Sequence, residues 1–376
     1  MAALAGVTVQ GWSAYWLPRA LHPLAWWLWA LGLTVAASRT TNPLLLGAVL
    51  GVASWVVLAR RSDAPWANAF RIYVIAGVFV VAIRVLFRII FGGGQQGHVL
   101  VNLPELPLPE VAAGINLFGA VTAESVLSGL YDGLRLATML ICLGAANALA
   151  NPRRLLRTMP PALHEVSTAV VVAISVFPQL AESVVRVRRA RKLRPGGDEG
   201  RLSGLRSIVI PVLEDALDRS LLLAASMDSR GYGRSGDRSR ATTVLSGMCM
   251  VAGLAGMAVG AYALLDGTAP RQLATPVLVA AIALGVVGIS LSGRGVQRTC
   301  YRPDQWRLAE LVTAGSGLAA AAFLTVTSGV DPANLNPSLQ PLTWPQLSLL
   351  PVVGILVALL PAVLTPYAVS VEAVPV

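Results

Sequence analysis

The sequence predicts an all-α polytopic membrane protein of about eight transmembrane helices, interrupted by a cytoplasmic stretch of amphipathic helices. Three observations predict it. Of the 376 residues, 55% are hydrophobic and only 13% charged, about half the charged share of a soluble domain. The apolar residues gather in runs close to the roughly 20 residues that a bilayer core requires of a helix. The formal net charge of +10 is confined to short stretches between those runs, which is the positive-inside pattern and not the basic face of a nucleic-acid binder.

The expected spans, in order, are Pro23 to Ala37, Pro43 to Ala59, Phe70 to Phe91, Ala123 to Leu149, Thr242 to Leu265, Thr275 to Leu291, Leu308 to Val326 and Gln346 to Val369. His22-Pro23 and Asn42-Pro43 read as helix starts, because proline at the first helical position gives up no hydrogen bond. Met1 to Trp16 lacks the basic region and cleavage site of a signal peptide, so the first span is expected to be retained. Arg60, Arg61 and Arg71 follow the second span. Arg153, Arg154 and Arg157 follow the fourth, and Arg294, Arg298, Arg302 and Arg307 precede the seventh. Those loops are assigned to the cytoplasm. Gly92 to Thr122 and Ser328 to Pro345 contain no lysine or arginine and are assigned outside. Eight spans then leave both termini in the cytoplasm.

Residues 151–240 differ in kind. They open on Asn-Pro-Arg-Arg, contain the breaker Arg194-Pro195-Gly196-Gly197 and are dense in arginine. Two amphipathic helices are expected. One sets Leu180, Val184 and Val187 on a face apart from Glu182, Arg186 and Arg189. The other has a stripe of Val209, Leu213, Ala216, Leu217, Leu221, Ala224 and Met227 opposite Glu214, Asp218 and Arg219. Val166 to Val176 is apolar but short and meets Phe177-Pro178, and a crossing there would invert the later charge asymmetry, so the whole segment is kept inside. The chain thus divides into N-terminal transmembrane helices (1–150), a cytoplasmic domain (151–240) and C-terminal transmembrane helices (241–376).

Chemistry is sparse. Lys192 is the only lysine and is followed by leucine, so no phosphate-cradling loop ending in Gly-Lys-Ser/Thr exists. Any ATP hydrolysis must come from another chain. His22, His98 and His164 are not ligand-spaced, Cys142, Cys249 and Cys300 have no metal spacing, and nothing reads as a nucleophile with its base. No residue is assigned to catalysis, a cofactor or a metal. Ionisable groups inside spans are costly and therefore informative. Arg84 and Arg88 share a face of the third span, and Asp132 and Arg135 lie in the fourth, a possible polar seam in which Asp132 pairs with one of the arginines.

The two amphipathic helices end alike, in Arg188-Arg189-Ala190-Arg191-Lys192 and in Ala225-Ser226-Met227-Asp228-Ser229-Arg230-Gly231-Tyr232-Gly233. With these endings, and with Leu21-His22-Pro23, Asn42-Pro43, Gly133-Leu134-Arg135-Leu136, Asn151-Pro152 and Phe177-Pro178, the chain resembles the transmembrane T component, EcfT or CbiQ-like, of energy-coupling factor transporters, over about Trp16 to Leu265. The resemblance implies a non-catalytic coupling subunit of an ABC importer that works with two ABC ATPase subunits and a membrane S component carrying a vitamin or metal ion, in a bacterial inner membrane. It also implies that the coupling residues are Ser229, Arg230 and Gly231, and Ala190, Arg191 and Lys192, the last replacing the family's glycine. Two other readings stand beside it. A stand-alone secondary transporter would show matching interrupted spans, and a scaffold would recruit cytoplasmic partners through its basic segment.

Overall fold

The computed structural model describes residues 19–63, 68–91, 97–104, 118–159, 163–193, 201–231, 239–266, 271–293 and 304–367. The stretch from Met1 to Trp16, the breaker at Arg194 to Gly197 and the arginines from Arg294 to Arg302 lie outside the described residues. The chain forms two compact units, one of residues 1–155 and 304–376 and the other of residues 156–303.

The first unit contains α1 (Pro23–Ser38), α2 (Pro43–Arg60), α3 (Ala69–Phe91), α4 (Ala123–Leu149), α10 (Leu308–Val330), α11 (Pro332–Leu335), α12 (Leu349–Val357) and α13 (Leu360–Leu364), with a small hairpin of β1 (Val99–Asn102) and β2 (Ala120–Thr122) before α4. The helix starts read from sequence are built as expected. The His22 ring accepts from the Leu24 N–H (3.2 Å), and Asn42 Oδ1 accepts from Leu44 N–H (3.0 Å). Each caps a helix whose first residue is proline. Asn151 repeats the device at the start of α5 (Pro152–Arg157), which crosses the unit boundary.

A tight core holds α1, α2, α4, α10 and α12 together around Trp29, Leu33, Leu45, Val49 and Leu324. In lipid no hydrophobic force brings helices together, so close approach through small residues has to supply the contact. At the α1–α10 crossing Gly32 faces Gly317, and a Cβ added at Gly32 would lie 2.2 Å from the Gly317 carbonyl oxygen. Gly129, Gly133 and Gly144 do the same for α4 against Arg88, Val81 and Tyr73 of α3.

The last expected span is split. Pro361 has no N–H to return to the Val357 carbonyl, and the helix breaks at Ala358–Leu359 before α13. The Ala358 carbonyl is met instead by Trp29 Nε1 (3.0 Å). The end carbonyls of α13, at Pro361 and Ala362, accept from the Arg60 guanidinium at 3.2 and 2.6 Å. Arg60 is therefore a buried helix cap and not a solvated flank, a role that no local pattern announces.

The second unit contains α6 (His164–Lys192), α7 (Arg201–Ser229), α8 (Arg240–Leu265) and α9 (Arg271–Gly293). The last two form a pair through Gly253 against Gly285, Gly260 against Leu278 and Gly288 against Met250. Seven helices among the described residues are long and apolar enough to cross a membrane: α2, α3, α4, α6 (over Val166–Ala190), α8, α9 and α10. Six of these are expected spans. The expected first span, α1, is only 16 residues, and α12 with α13 is the broken pair described above. The remaining difference is α6. The apolar run from Val166 is expected to stop short at Phe177-Pro178, whereas α6 runs through Pro178 for 29 residues. An interior proline removes one hydrogen bond and kinks a helix, and the long segments on either side carry α6 across it.

Candidate functional site

The α6–α7 pair carries the residues singled out by sequence. The two helices run antiparallel, and the polar cluster joining them centres on Asp215 of α7. Its carboxylate accepts from the Ser183 hydroxyl (2.7 Å) and from Arg186 (3.1 Å) of α6, and from Arg219 (3.0 Å) one turn along its own helix. Ser183 is buried. The Ser183 hydrogen bond, ahead of the Arg219 and Arg186 charges, holds the Asp215 carboxyl below the usual carboxylate range. A lowered carboxyl pKa makes this clasp a source of stability that is full above the ordinary Asp value and lost as pH falls through the lowered one. The protection factors of α6 and α7 amides, taken against intrinsic exchange at each pH, are accordingly expected to fall on acidification below the ordinary Asp range, and Asp215→Asn is expected to flatten that dependence.

Sequence reading placed Glu214, Asp218 and Arg219 on the open face of α7 and did not single out Ser183 or Asp215. The Asp215–Arg219 spacing of four was the available signal. The expected apolar stripe of α7 is covered only at Ala216 and Met227, while Val209, Leu213, Leu217 and Leu221 remain exposed. Asp215 adds a polar contact with α6 beside those of the covered part of the stripe.

At the far end of α7, a groove between the two helices is lined by Arg157, Ser167, Val171, Leu223, Met227 and Arg230. The helix closes there. Gly231 has φ of 76°, its N–H donates to the Asp228 carbonyl (2.9 Å), and the Arg230 N–H donates to that of Met227 (3.1 Å). This is a left-handed C-cap, where a glycine carries no steric penalty. It leaves Ser229 and Arg230 exposed on the final turn. Gly231→Val is expected to strain that turn by about 1–2 kcal/mol and to displace Arg230. Gly231→Asn, which tolerates the same backbone, is expected to behave like the parent in thermal unfolding.

Ala190, Arg191 and Lys192 end α6, with Ala190 exposed and the side chains of Arg191 and Lys192 outside the described residues, as are Tyr232 and Gly233. In an antiparallel pair joined at Ser183 and Asp215, the Arg191 and Arg230 ends point away from each other. At about 1.5 Å of rise per residue they stand roughly 35 Å apart.

The polar seam is partly assembled. Arg88 Nη2 lies 3.5 Å from the Asp132 carboxylate, and Arg84 lines the same shallow pocket with Phe87 and Phe91. Arg135 turns away and donates to the Ser38 carbonyl at the end of α1. Among the described residues one ion pair and one helix cap are thus formed, and not a continuous relay.

The family model described as CbiQ, cobalt transport protein, matches residues 17–242, a stretch that takes in α1 to α7 and both arginine-bearing helix ends. No curated protein matches the chain.

Proposed function

The chain belongs to the CbiQ cobalt transport protein family, and from that premise we propose that it is the coupling subunit of an energy-coupling factor importer. In this reading, α6 and α7 lie on the cytoplasmic side of a bacterial inner membrane. Arg191 and Arg230 engage two ABC ATPase subunits, and the spans pass the resulting motion to an S component that holds the micronutrient. The family description names cobalt, and the choice between a metal ion and a vitamin rests with that S component.

The observation that carries the proposal is the presentation of Arg230, exposed on the last turn of α7 by the Gly231 cap, with the Arg191 end at the opposite end of the same clasped pair. A guanidinium fork suits carboxylates and carbonyls of a partner and keeps its charge at any physiological pH. Two such ends, far apart, suit two motor subunits. The exposed Leu213, Leu217 and Leu221 supply apolar area beside them.

Parity supports the sidedness. Arg154 and Asp304 bracket the second unit in sequence and form an ion pair at 2.6 Å, so the chain leaves and returns on one side of the membrane. That requires an even number of crossings between them. The pair α8 and α9 supplies two. A crossing by α6 alone would make three, because α7 carries Glu214, Asp215, Asp218 and Arg219 in its middle and is not apolar enough to cross. Keeping α6 and α7 together on the arginine-rich side satisfies the count and the positive-inside bias alike.

Affinity purification of the tagged full chain from its native host in mild detergent tests the proposal. Two ABC ATPase polypeptides and one small hydrophobic protein are expected to co-purify. Recovery of the chain alone, active in solute uptake after reconstitution, would establish a stand-alone transporter instead.

A further inference from the structure

We infer that the first unit holds a binding site for the phosphodiester headgroup of an anionic phospholipid, built around Arg60. The pocket lies where four helices end together: α1 and α10 begin there, and α2 and α4 finish there. In helices that span a bilayer, this level is that of the headgroups. Arg19, Arg60 and Arg154 line the pocket with Ser62 at its edge, against an apolar wall of Trp26 and Leu149.

The charges do not balance. Arg19 makes two hydrogen bonds to Glu310 (2.7 and 3.0 Å), and Arg154 makes two to Asp304 (2.7 and 2.6 Å). Among the described residues Arg60 meets no carboxylate. Its Nε and Nη2 cap the two carbonyls of α13, its plane lies 4.3 Å from the Tyr367 ring centroid, and Nη1 is buried with no hydrogen-bond partner among the described residues. Arg60 is only 6% exposed. A buried guanidinium with a vacant donor and no counter-charge is costly, and one anion contributed from outside the chain would satisfy both needs.

The three guanidiniums less the two carboxylates leave a single positive charge, which fits the monoanion of a phosphodiester better than the dianion of a free phosphate. The Trp26 and Leu149 wall fits the glycerol and upper acyl chain that accompany such a group in a lipid. Nη1 is closed off from solvent, so seating the phosphate against it requires the Arg60 side chain to open toward the pocket it lines.

Native mass spectrometry of the purified full chain, reconstituted with equal amounts of dioleoyl phosphatidylglycerol and dioleoyl phosphatidylcholine, tests the site. The glycerol lipid is expected to be retained about tenfold over the choline lipid, in keeping with about 1 kcal/mol or more per arginine at a membrane surface. Arg60→Gln is expected to abolish that preference. Because Arg60 also caps α13, Ser62→Glu serves as the second variant. It places a negative charge at the pocket edge, leaves the cap intact, and is expected to abolish the preference as well. Equal retention of both lipids by the parent chain, or an unchanged preference in Ser62→Glu, overturns the inference. Complete displacement of the glycerol lipid by inorganic phosphate alone also overturns it, and would assign the pocket to a free anion.

Discussion

Arg230→Ala is expected to reduce solute uptake by at least about tenfold and to strip ATPase subunits from the purified complex, while the chain still inserts and accumulates normally. Arg230 is exposed and its main-chain turn is closed by Gly231, so removing the guanidinium leaves the fold of α7 as it was. What is lost lies in the partner. Truncating one member of a hydrogen-bonded charge pair at an interface typically costs 2–5 kcal/mol, much of it the penalty of stranding the other member. Co-purification measured beside uptake separates coupling from folding. If an Arg191→Ala, Arg230→Ala double variant holds ATPase subunits as well as the parent does, the assignment of these arginines fails.

Gly317→Ala carries a large expected structural effect. A Cβ at this position would sit 2.4 Å from both Cα and the carbonyl oxygen of Trp29, in the backbone of α1. Rotamer changes cannot relieve a clash with main chain, so α1 and α10 must separate. Trp29 is fully buried and reaches across to the Ala358 carbonyl, and its packing and its hydrogen bond would both loosen. A cost of about 3 kcal/mol or more is expected, at the upper end for overpacked sites. Detergent denaturation and size-exclusion profiles measure it. Gly315→Ala, two residues away on α10 with open space around its Cβ direction, is expected to be neutral or slightly stabilising.

These outcomes bear on what was readable from residues alone. Helix starts at His22-Pro23, Asn42-Pro43 and Asn151-Pro152 were legible because a cap and its proline are neighbours in sequence. Arg230 and Gly231 were legible for the same reason, as a charged last turn followed by a left-handed residue. The Arg60 contacts with Pro361 and Ala362, the meeting of Gly32 with Gly317, and the Ser183–Asp215 clasp were not. Each joins segments tens to hundreds of residues apart, and no periodicity encodes a partner at that distance. Pro178 misled for a related reason, since the cost of one missing hydrogen bond is visible in the sequence while the continuity of the helix around it is not. The Arg88–Asp132 pair falls between, with the residues evident and the choice of arginine settled by the close approach of α3 to Gly129.

The placement of the clasp along the two helices has a mechanical consequence. Ser183 is eight residues from Arg191, or about 12 Å of helix, whereas Asp215 is fifteen residues from Arg230, or about 22 Å. With the joint as fulcrum, α6 and α7 are levers of unequal reach. Equal strokes delivered at the two arginines would swing α6 through nearly twice the angle of α7, so two identical engines would impart unequal torque to the body they drive.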